Sequence, residues 1–144
     1  MEERGQSIIR WVRKNSGTLL AAAVALLTIL VLNFGAVSVR LDEEALTVGA
    51  AFAGSDKIEY DDIRAARLVE DFDRGVRDSG VRTLRLQAGT FMNDLGMYRL
   101  YAYTGVPACI DVRTDKGHVV FNAATEAATR TLYEQLTEKL PDVP

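Results

Sequence analysis

Hydrophobic and polar positions change period twice along this chain. From Asn15 to Val39 no charged residue occurs, and within Gly17–Val37 only Thr18, Thr28 and Asn33 are polar. As a helix those 21 residues would reach roughly 31 Å at about 1.5 Å per residue. That matches about 30 Å of bilayer hydrocarbon, so the pattern predicts one transmembrane helix over 17–37. Beyond it the apolar positions alternate, as in half-buried strands. From residue 124 the period becomes helical again. Ala128, Leu132, Leu136 and Leu140 recur every four residues, with Thr125 placed to cap and Pro141 placed to stop the helix.

The alternating region divides at its turn residues. "AVSVRL" meets an acidic turn, Asp42-Glu43-Glu44, and "ALTVGAAF" follows, with Leu46, Val48 and Ala50 on one face. "AGSD" reads as a turn. "KIEYDDIRAARLVED" reads as one segment that directs Ile58, Tyr60, Ile63 and Leu68 inward. "DRGVRDSG" is polar and glycine-punctuated, the composition of a loop. "VRTLRLQA" reads as one strand with Val81, Thr83 and Arg85 on one face. "TFMNDL" reads as a loop between Gly89 and Gly96. In "MYRLYAY", Tyr98, Leu100 and Ala102 share a face opposite Met97, Arg99, Tyr101 and Tyr103. "GVPACIDVRT" and "GHVVFNA" form a hairpin about Asp115-Lys116-Gly117. Six or seven strands followed by one amphipathic helix predict a bent antiparallel sheet or open barrel, capped by that helix.

Charge adds an orientation. Arg4, Arg10, Arg13 and Lys14 precede the apolar span, whereas Arg40, Asp42, Glu43 and Glu44 follow it. The excess of basic residues on the first side favours a cytoplasmic N-terminus. The expected organisation is a basic cytoplasmic segment 1–16, a membrane helix 17–37, an extracytoplasmic domain 38–140 and a tail 141–144. A cleaved signal peptide is the rival reading. It lacks a small-x-small cleavage site, because Phe34 stands two residues before Ala36. Residues 37–144 carry 13 basic and 18 acidic groups. That balance excludes nucleic acid as a partner.

Candidate chemistry is sparse. Cys109 is the single cysteine and His118 the single histidine. A cysteine nucleophile needs a nearby base or cation; Arg113 shares its strand face, but His118 lies beyond the hairpin turn. One histidine and one cysteine make no zinc site. Asp61-Asp62 and Asp71/Asp73 lack the oxygen spacing of a calcium loop. No catalytic residue, cofactor or metal is therefore expected. Six arginines between Arg64 and Arg85 interleave with Glu70, Asp71, Asp73 and Asp78, a mixed face of weak ion pairs. Phe72 stands alone within it, as an anchor or a contact.

Particular residues resemble the bacterial pleckstrin-homology-like (PH) domain family of small membrane-anchored proteins. They are "VRLDEEALTVGAAF", then Ile58 and Ile63 in "KIEYDDIRAARL", then Gly89, Phe91, Gly96, Leu100 and Tyr101 in "GTFMNDLGMYRLY". "ACIDVRTDKGHVVFN" and the closing helix extend the resemblance over about 37–140. It implies a fold and brings no catalytic motif. Where relatives bind phosphoinositides through a basic first hairpin, the matching turn here is Asp42-Glu43-Glu44, whose carboxylates repel phosphate.

The expected function is a membrane-anchored, non-catalytic interaction module for a protein partner or for itself. The alternative is an envelope sensor of a small molecule or lipid, with Tyr101 and Tyr103 lining a pocket. Candidate partner-binding residues are Phe91, Met92, Leu95, Arg99, Tyr101 and Tyr103.

Overall fold

A computed structural model of the chain describes residues 2–33, 35–140 and 143. The chain divides into two units, one ending at Phe34 and one beginning at Gly35.

The first unit is helical. Helix α1 (Glu2–Lys14) and helix α2 (Ser16–Asn33) are separated by Asn15. Asn15, Ser16 and Gly17 are poor helix formers, and two of these side chains compete for backbone acceptors. Asn15 Nδ2 donates to the Trp11 carbonyl at 3.1 Å and Ser16 Oγ to the Arg13 carbonyl at 3.2 Å. Thr28 returns its hydroxyl to the Val24 carbonyl at 2.8 Å, so this polar residue exposes no unsatisfied donor on the apolar helix. Helix α2 ends four residues before the expected limit, and Val37 opens a strand instead. Among the described residues, no helix is long and apolar enough to cross a membrane.

Among the described residues, the second unit holds nine strands and one long helix. Strands β1 (Val37–Leu41), β2 (Ala45–Ala50) and β3 (Gly54–Glu59) form a three-stranded antiparallel meander. A short 3₁₀ turn, Tyr60–Asp62, leads into a six-stranded sheet. It contains β4 (Ile63–Val69), β5 (Val76–Arg82), β6 (Leu86–Asn93), β7 (Gly96–Tyr103), β8 (Cys109–Thr114) and β9 (Gly117–Phe121), in the order β4-β8-β9-β7-β6-β5. Every pairing is antiparallel except β7 with β9, which is parallel. The β8–β9 hairpin places β9 between β8 and β7. Helix α3 (Glu126–Lys139) closes the unit.

The core has two parts, one on each side of the six-stranded sheet. The larger gathers Leu46, Val48, Ile58 and Ile63 with Tyr101, Ile110, Val112, Phe121 and Leu136. Tyr60 and Leu68 pack against it as expected. The smaller gathers Phe91, Tyr98, Leu100, Ala102, Cys109 and Val120, with Phe72 against it. Phe72 is thus an anchor: its ring meets Tyr98 edge-on at 5.6 Å, and its N–H donates to the Pro107 carbonyl at 3.1 Å.

Thr125 caps α3 as predicted, accepting from the Ala128 N–H at 3.1 Å. The buried stripe differs by one residue, because Thr129 takes the place expected of Ala128. Its hydroxyl accepts from the Ala123 N–H and donates to the Thr125 carbonyl, so burial leaves no polar atom unpaired. Pro141 lies outside the described residues.

Four expected segments are corrected. "KIEYDDIRAARLVED" is two strands, divided at Tyr60–Asp62. "VRTLRLQA" is also two, divided at Thr83–Arg85, where the Thr83 hydroxyl accepts from the Leu86 N–H at 3.0 Å. "DRGVRDSG" belongs largely to β5, and "TFMN" to β6. Strand β5 is exposed on nearly every residue, so it carries no hydrophobic alternation to announce it.

Candidate interaction surface

Strands β5, β6 and β7 end together at one corner of the larger sheet. Val76 pairs with Met92, and Met92 pairs with Met97. Directly opposed residues point to the same face, so the three side chains form a row across three strands. All are open to solvent, at 68%, 52% and 52%. Leu95, at 37%, sits in the adjoining turn. Scattered exposed apolar residues need no explanation; a contiguous row does.

The row is held from beneath. Phe91 and Tyr98, a cross-strand pair on the opposite face, are buried in the smaller core. Asn93 Oδ1 accepts from the Leu95 N–H at 2.8 Å, which shapes the β6–β7 turn. Asn93 Nδ2 donates to the Asp73 carbonyl at 2.6 Å, and Tyr98 Oη to the Arg74 carbonyl at 2.6 Å. These bonds pin the incoming loop. Gly75 is required there: its φ is +67°, and a Cβ would stand 2.0 Å from the Met92 carbonyl oxygen.

The next residue on the same face of β7 is Arg99, and it makes a polar border. Its Nε donates to Asp56 Oδ2 at 3.1 Å, and its Nη2 to Tyr101 Oη at 2.6 Å and to the Ala53 carbonyl at 3.1 Å. Tyr101 Oη in turn donates to Asp56 Oδ2 at 2.6 Å. Burial, with the Asp56 carboxylate beside it, pushes the Tyr101 phenol up to about 12. This network joins β7 to β3. It also ties down the Ala50–Ala53 turn, which carries Phe52. Phe52 is 65% exposed with φ +67°, the only non-glycine residue in the left-handed region among the described residues.

The match to known families covers the strands that build this corner. A family model described as "Bacterial PH domain" matches residues 37–124. The chain belongs to the bacterial PH domain family. The match takes in all nine strands and stops just short of α3. No curated protein matches, and no solved structure matches. Membership of this family suggests a non-catalytic interaction module.

Within the bacterial PH domain, the six residues expected to bind a partner separate. Met92 and Leu95 lie in the exposed corner. Phe91 is 1% exposed and Tyr101 and Tyr103 are buried, so their side chains pack rather than contact a partner. Arg99 is half-buried and committed to Asp56. The loop reading failed at Phe91 because β6 continues through it, and in a strand a one-residue step reverses the face. Val76 and Met97, which complete the exposed row, were not among the expected residues. Met97 was legible from the β7 alternation, but Val76 became visible only through its register with Met92.

Tyr101 does not line a cleft with Tyr103. Tyr103 lines an open groove between β1 and α3, with Val37, Val39 and Leu132. A separate cleft of about 430 Å³ is lined by Asp56, Lys57, Asp62, Arg99, Lys116 and His118, among others.

Cys109 is fully buried, and burial pushes its thiol up to about 11. Its sulfur accepts from Asn122 Nδ2 at 3.8 Å, and the nearby Arg74 guanidinium offsets only part of that rise. His118 turns elsewhere. Its Nδ1 lies 2.7 Å from Asp111 Oδ1, while Arg67 Nη2 donates to Asp111 Oδ2 at 2.9 Å. Asp111 is therefore a buried carboxylate held between two side chains of neighbouring strands. The hairpin register set by Asp115-Lys116 implies this pairing, since Asp111 and Arg113 oppose Val120 and His118. Among the described residues, no group of three His, Cys, Asp or Glu side chains could hold a metal ion. Asp73 spends one oxygen on the Gly75 N–H at 3.0 Å.

Proposed function

We propose that this bacterial PH domain is a membrane-tethered interaction module, and that the Val76–Met92–Met97 row receives a protein partner. The observation that carries the reading is the row itself: three apolar side chains in cross-strand register, exposed, backed by a packed core and bordered by Arg99. A partner supplying an apolar anchor would gain by covering it, at about 25 cal/mol per Å² of apolar surface removed from water. Tethering rests on the uncharged run from Asn15 to Val39 and on the basic residues that precede it. In this reading the N-terminus is cytoplasmic and the domain faces outward.

A photo-crosslinking side chain at position 76 of the full chain, in cells, tests the contact. An adduct to a second protein or to another copy is expected, and it should vanish when Met92→Asp and Met97→Asp are introduced. A crosslinker at Leu84, exposed in the β5–β6 turn at the opposite end of β5, serves as control. Identical adducts from both positions, or adducts that persist in the folded double variant, would refute the contact. Protease added to intact cells tests topology: a protected domain would reverse the orientation.

The cleft bearing Lys57, Arg99, Lys116 and His118 favours a second reading, an anionic small-molecule or lipid-headgroup sensor. Asp56, Asp62 and Asp115 in the same wall oppose it. Thermal stabilisation of the domain by an anion, lost in Lys57→Ala and Lys116→Ala, would favour the sensor.

A further inference from the structure

The N-terminal helix has a second face that tethering does not use. At 100° per residue, Ile8, Ile9, Trp11 and Val12 of α1 occupy about 160° of arc. Arg10, Arg13 and Lys14 occupy the arc opposite. The four apolar side chains are 61%, 66%, 59% and 43% exposed. A 13-residue helix of this kind is marginal alone in water. Backbone bonds through Asn15 join it to α2, but its apolar face still needs a cover.

We infer that α1 lies along an anionic phospholipid surface, with Ile8, Trp11 and Val12 in the headgroup–acyl boundary and Arg10, Arg13 and Lys14 toward lipid phosphates. Two features select this occupant. The polar arc is basic in its last two turns, which complements anionic lipid. An indole prefers the interfacial depth. Covering by a second copy would bring like charges together. The inference goes beyond the tether and holds whether or not α2 spans a bilayer.

Trp11 is the only tryptophan, so its fluorescence reports α1 without background. The full chain is reconstituted into phosphatidylcholine vesicles with or without phosphatidylglycerol, containing lipids brominated at shallow or deep positions. With phosphatidylglycerol present, blue-shifted emission and stronger quenching from the shallow position are expected. That quenching should fall at least about two-fold in neutral vesicles, in high salt, and in the variant Arg10→Gln/Arg13→Gln/Lys14→Gln. Quenching indifferent to all three changes overturns the inference, as does strongest quenching from the deep position. A blue shift that follows protein concentration without lipid overturns it in favour of self-association. Alkaline extraction of the same vesicles reports the tether separately: a chain that washes off, yet shows charge-dependent Trp11 quenching, removes the tether and leaves the α1 inference standing.

Discussion

Phe52 holds the least comfortable backbone in the second unit. It occupies the third position of a turn closed by the Ala53 N–H to the Ala50 carbonyl at 3.2 Å. Positive φ there suits glycine, and a side chain in that region costs about 1–2 kcal/mol. Phe52→Gly should therefore raise unfolding stability by about 0.5–1 kcal/mol, measured by urea denaturation. If Phe52 belongs to the contact surface, the same variant should lose crosslinking at position 76 despite its greater stability. Tyr101 gives a second test. Its phenol is raised by burial, so the folded state holds its proton after the unfolded chain has begun to lose it, near pH 10. Its contribution is fully present below that pH and is lost as pH climbs through about 12. Tyr98 is raised in the same direction by burial. Stability should thus fall steeply above pH 10, with tyrosinate absorbance rising together with unfolding. Tyr101→Phe should flatten the fall and cost about 1–2 kcal/mol at neutral pH through the hydroxyl's lost bonds to Asp56 and Arg99.

At the scale of elements, α3 is joined to the sheet by Leu136, Leu140 and the Thr125 cap. Thr125→Ala should cost about 1 kcal/mol, and Leu136→Ala about 2–5 kcal/mol, both read from denaturation midpoints. Strand β5 depends on two glycines in contact. A Cβ on Gly80 would stand 2.2 Å from the Ala88 carbonyl oxygen, and one on Gly89 would stand 2.4 Å from that of Ser79. Gly89→Ala should therefore detach β5, with Val76, before the rest unfolds, and hydrogen exchange in Val76–Arg82 should accelerate first. These elements were unequally legible. The β7 faces, the Thr125 cap and the β8–β9 hairpin follow from alternation and turn chemistry, which are local. Strand β5 was hidden because neither of its faces is apolar, and its existence rests on pairing with β6. The break at Tyr60–Asp62 was hidden because Ile58 and Ile63 both point inward and mimic one continuous segment. For the site, Met92 and Leu95 could be named from their neighbours. Phe91 could not be excluded without register, nor Val76 included.

Across the whole molecule, the expected architecture of strands followed by one helix is present, and the expected purely antiparallel order is not. No local pattern distinguishes β9 inside the sheet from β9 at its edge, because Val119, Val120 and Phe121 suit either. The strand order has a temporal meaning. Strand β9 leaves the ribosome after β1–β8, yet it occupies the middle of the larger sheet, between β8 and β7. Until it arrives, β4 with β8 and β5 with β6 and β7 are two unjoined fragments, each with a raw edge. Synthesis reaches the apolar α2 long before this keystone exists. The nascent chain must therefore keep its half-sheets apart while its N-terminal helices are already seeking their own surroundings. Long-range closure of this kind is slow, and a chain halted after Thr114 should yield two aggregation-prone pieces and not a shortened domain.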